Sequence, residues 1–257
     1  MPPGTLYLPV FPQLKTLLSN GLYSQVFSAL GAEASLNLPS PDPAVLTSSA
    51  ALPRDEPSIV KIEGVAESCS LRIEGSGFVI SPGHVLTNAH VVAGVTQGPY
   101  VYTTNHQMYL GRVVLYDPQR DLAVLYVPGL TGRTAPPLPF ASQAPEDANA
   151  IVAGYPLNEG FTPVAARIGH SVTAYGPNIY QTATVHRQIY PIRADIQPGN
   201  SGGPLLSPGG DVYGVVFAAS TTVENTGYAL TAGEVASDAA AGSRESRPVP
   251  TQGCQGS

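Results

Sequence analysis

Ser76-Gly77-Phe78-Val79-Ile80-Ser81-Pro82-Gly83-His84-Val85-Leu86-Thr87-Asn88-Ala89-His90-Val91-Val92 decides the fold class. Two short β-branched and apolar runs, Ser76 to Ser81 and Val85 to Asn88, flank Pro82-Gly83-His84, which reads as a hairpin tip. The same rhythm continues in both directions. Short runs recur at Ser58 to Gly64, Gln107 to Tyr116, Asp121 to Val127, Ala150 to Tyr155, Thr162 to Gly169, His186 to Ala194, Val212 to Ala218 and Gly227 to Leu230. Gly, Pro and Asn punctuate the chain between them. Many short strands with turn signals predict an all-β protein, a sandwich or a barrel pair. Pro-rich Ala135 to Pro145 divides the strands into two groups, which places β-barrel subdomains at residues 58–145 and 146–236.

Residues 1–57 read differently. Leu14, Leu17, Leu18, Leu22, Val26, Phe27 and Leu30 recur at helical spacing and predict an amphipathic helix over Phe11 to Leu30. From Leu38 to Pro57 the prolines, serines and alanines predict an extended, semi-rigid linker, exposed enough for self-cleavage. Residues 237–257 form a polar C-terminal tail, with no room for a further domain.

Of 257 residues only 12% are charged, and 12 Lys+Arg against 18 Asp+Glu give a net charge of -6. Without a basic cluster the chain lacks the electrostatic footprint of a nucleic-acid binder. Gly 27 and Pro 26 stay below the share expected of a low-complexity chain. The longest apolar run, Leu122 to Val127, falls far short of the roughly 20 residues of a spanning helix. Met1-Pro2-Pro3-Gly4 opens no secretory signal. Cys69 and Cys254 lack metal-ligand spacing and are either one disulfide or two buried thiols.

Three patterns carry chemistry. Thr87-Asn88-Ala89-His90-Val91-Val92 ends an apolar strand on a histidine, Asp121-Leu122-Ala123-Val124-Leu125 opens one with an acid, and Gly199-Asn200-Ser201-Gly202-Gly203-Pro204-Leu205 sets a serine among glycines. A serine hydroxyl becomes a nucleophile when an imidazole takes its proton, and a carboxylate fixes the imidazole tautomer. His90, Asp121 and Ser201 are the candidates. Asp117 competes with Asp121, but Asp117-Pro118 is a turn signature, whereas Asp121 starts a strand. The backbone freedom of Gly199 lets its N–H converge with that of Ser201, an oxyanion hole in the Gly199-Asn200-Ser201 turn. His84, His106, His170 and His186 have no acidic or cysteine partner nearby in sequence and read as structural or surface residues.

These motifs resemble the trypsin-like serine proteases, specifically the bacterial group with Thr-Asn-Ala-His, Asp-Leu-Ala-Val-Leu and Gly-Asn-Ser-Gly-Gly-Pro-Leu. The resemblance covers about residues 58 to 236 and implies two six-stranded barrels of the chymotrypsin type, with His90, Asp121 and Ser201 meeting at the cleft. It implies a hydrolase of protein or peptide substrates that needs no metal or cofactor and works as a monomer. Turnover should fall in acid, where the general base takes up a proton. Asp195, six residues before Ser201, stands where relatives of basic specificity keep an acid at the pocket floor; the alternative is a solvated loop acid. Phe217, Ala218 and Ala219 would line the substrate cleft. Asn200 replaces the Asp that pairs with a freed N-terminus in activatable relatives, so that ion pair is not needed here. The Cys69/Cys254 placement and the helix-plus-linker leader are similar to the membrane-anchored actinobacterial acid-resistance proteases of the MarP type. That likeness implies a disulfide from the first barrel to the tail, a periplasmic or cell-envelope location, and acid or oxidative stress as the setting. Membrane contact would come through an upstream transmembrane region missing from this soluble chain. The rival readings are an HtrA-like protease-chaperone, against which the tail lacks a peptide-binding domain, and a non-catalytic binding scaffold.

Overall fold

The computed structural model describes residues 38–220 and 223–254. The helix expected over Phe11 to Leu30 lies outside them. One sheet contains β1 (Ile59–Ala66), β2 (Leu71–Ser81), β3 (His84–Thr87), β4 (Gln97–Tyr102), β5 (Met108–Leu110), β6 (Arg112–Asp117) and β7 (Leu122–Tyr126), in the order β5-β4-β1-β2-β3-β7-β6. The other contains β8 (Asn149–Gly154), β9 (Thr162–Ile168), β10 (Val172–Pro177), β11 (Thr184–Arg193), β12 (Pro204–Leu206), β13 (Val212–Ala219) and β14 (Thr226–Thr231), in the order β10-β11-β14-β13-β12-β8-β9.

Both sheets curl into barrels because one strand in each serves both edges. β5 and β6 lie at opposite ends of the first order, yet only Gly111 separates them, and its N–H bonds Pro99 O at 2.9 Å. β9 and β10 do the same in the second sheet, and β9 returns to β11 through Ile168 opposite Ile192. Counted with each bent strand as one, each barrel has the six strands that the resemblance implies. Register shifts at Val79/Ser81, Val113/Leu115 and Val216/Ala218 bend the strands further.

Alternation sorts the side chains. Val60, Ile62, Val85 and Leu125 fill the first barrel, and Val152, Ile168, Ile192 and Val216 the second. The opposite faces carry Ile59, Phe78, Leu86, Leu122 and Val124, which join Ile151, Val215, Phe217 and Leu230 in one cluster shared by the barrels. Strands such as β7 are therefore buried on both faces, which is why Leu122 to Val127 reads as a continuous apolar run.

Two departures concern the ends. The segment expected as an extended linker instead forms α1 (Ala44–Ser48), α2 (Ala51–Asp55) and a 3-10 turn (Glu56–Ser58), with Val45, Ala51 and Leu52 buried. Ser49 Oγ fastens it to Pro208 O at 2.9 Å. Its prolines do not prevent this: Pro43 precedes α1, and Pro53 and Pro57 fall in first turns, where a missing N–H has no helical partner to lose. The second departure is α3 (Ala232–Gly242), which overlaps the expected tail. Thr231 Oγ1 accepts the Glu234 N–H at 3.1 Å, so Thr231-x-x-Glu234 was a legible capping signal. α3 carries the chain from the second barrel onto β7 of the first, where Gly242 packs against Val124. Beyond it, Val249 N–H bonds Val113 O at 2.9 Å, and Cys254 forms a disulfide with Cys69, Cα atoms 6.4 Å apart. Among the described residues no helix is long and apolar enough to cross a membrane.

Candidate active site

Pairing of β3 with β7 sets Thr87 opposite Ala123, which brings the residues after β3 beside those before β7. Asp121, fully buried, uses both carboxylate oxygens on one residue: Oδ1 accepts the His90 backbone N–H at 2.9 Å, and Oδ2 lies 2.7 Å from His90 Nδ1. Asn88 Nδ2 donates to Asp121 O at 2.8 Å and holds a residue whose φ is 63°. Asp117 does not reach the histidine. Its Oδ1 accepts the N–H groups of Gln119 and Arg120, closing its own turn as the Asp-Pro signature implied. Arg187 reaches across from the second barrel: Nε and Nη2 donate to Gln119 O at 2.9 and 2.7 Å, two residues from Asp121. Burial pulls this guanidinium below its ordinary pKa, against the attraction of Asp121 and Asp117.

The serine turn nests on strand β2. Ser76 N–H bonds Ser201 O at 2.8 Å, and Gly202 N–H bonds Val216 O at 2.8 Å. Gly202 has φ 83°, and a Cβ there would collide with Ser76 O in the middle of β2 and with Thr87 Oγ1 at the end of β3, the strand leading to His90. The same glycine thus permits the close approach of the Ser201 turn to strands β2 and β3. Gly199, φ 99°, presses on Tyr155 O and has its carbonyl held by Ser76 Oγ at 2.7 Å. Pro198 O accepts the Leu157 N–H at 2.7 Å, so the planar peptide aims the Gly199 N–H the opposite way. Asn200 is tied within the turn. Its N–H donates to Gln197 O at 3.0 Å and is not available to an oxyanion, while its Oδ1 accepts the Gln197 N–H at 2.9 Å. Gly199 and Ser201 remain as the N–H pair.

The residues expected to bind substrate are only partly assembled. Asp195 is exposed and its carboxylate takes a hydrogen bond from Gln197 Nε2 at 2.6 Å; Ile196, which sequence reasoning missed, packs against Gly227 instead. Phe217 is 2% exposed within the shared core, beneath the Arg187 guanidinium at 5.9 Å, so its ring does not line a cleft. Ala218 is buried and Ala219 half-buried opposite Gly227. Among the other histidines, His84 reaches Glu245 O at 2.9 Å and His170 pairs with Glu146 at the surface.

Arg120 links the Asp117 turn to α3, meeting Asp117 at 3.0 Å, Glu234 at 3.1 Å and Asp238 at 3.8 Å. Burial, then Asp117 alongside, push the Asp238 carboxyl up to about 6, against the pull of Arg120. The folded protein therefore keeps this proton where the unfolded chain, at 3.8, has lost it, so the contribution of Asp238 to stability declines as pH rises from about 4 to about 6. Asp238→Asn is expected to raise the unfolding midpoint at pH 7 and leave it unchanged below pH 4, followed by circular dichroism on heating. An equal shift at both pH values would contradict this.

Residues 75–215 match the trypsin-like peptidase domain, and the chain belongs to that family of serine proteases. It is 42% identical over 244 residues to serine protease Rv3671c of Mycobacterium tuberculosis, covering 94% of this chain and 60% of that protein. The chain thus spans well under two thirds of that relative. Crystal structures of the Rv3671c protease superpose with a TM-score of 0.82 for the active form (43% identity, 88% of this chain and 97% of that one). For the inactive form the TM-score is 0.70 (44% identity, 80% and 98%). The Do-like serine protease HtrA of Lactococcus lactis is 30% identical over 66% of this chain and 44% of its own length.

Proposed function

We propose that the chain is the catalytic part of a serine endopeptidase that cleaves protein substrates through an acyl-enzyme. The observation that carries this reading is the buried Asp121 carboxylate on His90 Nδ1 at 2.7 Å, with the Ser201 turn packed on the adjoining strand ends. Asp121 orders the imidazole so that Nε2 is the basic nitrogen. His90 takes the Ser201 Oγ proton as that oxygen attacks the scissile carbonyl, then passes it to the leaving amine. The Gly199 and Ser201 N–H groups receive the oxyanion.

The wider setting belongs to the same proposal: a monomeric, membrane-anchored protease of the cell envelope that serves acid or oxidative stress. The Cys69–Cys254 disulfide, which persists in oxidising compartments, supports the envelope location. The test is intact mass after exposure to a fluorophosphonate. One adduct, absent in Ser201→Ala, is expected; no adduct on the parent protein would leave a binding scaffold.

A further inference from the structure

The segment following β8 holds two adjacent non-glycine residues in the left-handed region, Leu157 at φ 54° and Asn158 at φ 59°. Each such residue is strained and persists only where its surroundings impose it. The Leu157 side chain supplies no such hold, being 59% exposed. Its backbone N–H does the work of contact instead, donating to Pro198 O at 2.7 Å. What imposes the conformation is Asn158. Its Oδ1 accepts from Lys61 Nζ at 2.9 Å and its Nδ2 donates to Glu74 Oε1 at 2.8 Å, so one side chain is gripped by β1 and β2 of the other barrel.

That grip is itself braced. Glu63 and Glu74 face each other across β1 and β2, a repulsive pairing in isolation. Arg72 answers both, at 2.6 Å to Glu63 and 3.3 Å to Glu74, and Lys61 lies 2.9 Å from Glu63. The lattice fixes Lys61 and Glu74 as a pair of opposite polarity, matched to the amide of Asn158. The same barrel holds the other side of the turn, since Ser76 Oγ donates to Gly199 O and accepts the Tyr155 N–H at 2.9 Å.

We infer that Asn158 is a positioning residue for the oxyanion hole: by clamping the strained 157–158 turn to Lys61 and Glu74 it presents the Leu157 N–H to Pro198 O and so fixes the direction of the Gly199 N–H. The inference rests on the serine-protease reading and extends it to a residue outside the reacting groups. Without the clamp the 157–158 turn relaxes, Pro198 O loses its donor, and the 198–199 peptide is free to rotate its N–H away from the oxyanion.

Asn158→Gly tests this, because glycine adopts φ near 59° without strain but has no amide to grip. The expected result is a kcat lowered roughly 10- to 100-fold, below the loss from deleting an oxyanion donor outright. KM should stay within about twofold, and the unfolding midpoint should fall by no more than a few degrees, because relief of the left-handed strain at 158 offsets much of what the two lost hydrogen bonds contributed. Affinity for a peptide boronate, whose tetrahedral oxygen occupies the hole, should fall in step with kcat, while a cleaved product peptide binds as before. Glu74→Gln keeps an acceptor for Asn158 and should retain most of the turnover; Glu74→Ala should behave as Asn158→Gly does. Unchanged kcat and boronate affinity in Asn158→Gly would overturn the inference, as would parallel losses in kcat, KM and thermal stability, the mark of a merely structural role. A parent protein that neither turns over peptide nor takes a fluorophosphonate would remove the serine-protease reading and the inference with it.

Discussion

Ser201→Ala, His90→Ala and the double substitution should each lower kcat by the same factor, roughly 10⁶, and Asp121→Asn by about 10⁴. Equality of the first three follows from a proton transfer that needs both partners. Once Ser201 Oγ is gone the imidazole has nothing to deprotonate, and without the imidazole the hydroxyl is as inert as any alcohol. The smaller loss at Asp121 follows from its two bonds. Oδ1 receives the His90 backbone N–H and Oδ2 the ring, so an asparagine oxygen that keeps the backbone bond turns its NH₂ toward Nδ1. Nδ1 must then accept, the ring proton moves to Nε2, and Nε2 can no longer act as the base. Binding is untouched, so KM should change little. Titrating kcat/KM against pH gives a second check: the parent should show an acid limb, since only neutral His90 accepts a proton. Additive losses in the double variant would mean that the two residues do not act in one step.

Much of this site was legible before any coordinates. His90, Asp121 and Ser201 stand out because each motif joins a reactive residue to a strand end or a glycine turn, and their backbone needs are local. The preference for Asp121 over Asp117 was local too, since Asp-Pro closes its own turn. Asn158 was not legible: it is an unremarked residue in a loop, and its partners Lys61 and Glu74 are distant in sequence and meet it only when the barrels dock. The bond from the Asn200 N–H to Gln197 O was not legible, because it depends on the exact fold of the turn. Between a pocket acid and a solvated loop acid, distance from Ser201 does not decide for Asp195, because one residue sets the direction of a loop side chain; here Asp195 is exposed and Ile196 takes the place against Gly227. Three strands also escaped notice. β4 contains Gly98-Pro99 and β12 begins at Pro204, where the ladder tolerates a missing N–H at an irregular register or a strand start. β10 is a short run, Val172-Thr173-Ala174-Tyr175, cut off by its Gly176-Pro177 end.

Loss of the disulfide is expected to be the largest single cost to stability. Cys69, on the turn after β1, and Cys254 are 185 residues apart, and closing so long a loop restricts the unfolded chain by about 5 kcal/mol at most in the loop-entropy view. A loss of about 2–5 kcal/mol is therefore expected for Cys254→Ala, which avoids placing a hydroxyl at a site only 2% exposed. At the size of this domain that corresponds to a fall of roughly 5–15 °C in the unfolding midpoint. The rest of the tail should loosen with it. Gly94 N–H reaches Thr251 O at 3.3 Å, and Tyr180 OH lies 3.1 and 3.0 Å from its two candidate acceptors, Thr251 O and Gly253 O, contacts within three residues of the disulfide. Beneath them Ala89, Ala93 and Ile179 form the small cluster on which the His90 segment rests. Loosening there should lower kcat as well, by less than any triad substitution, because the Asp121 bonds to His90 do not pass through the tail. Thermal unfolding with and without a thiol reductant decides the matter. The reductant should bring the parent protein down to the midpoint of Cys254→Ala and leave the variant where it was; a parent protein that unfolds at the same temperature in both conditions would show that the tail is held by its hydrogen bonds and apolar contacts alone.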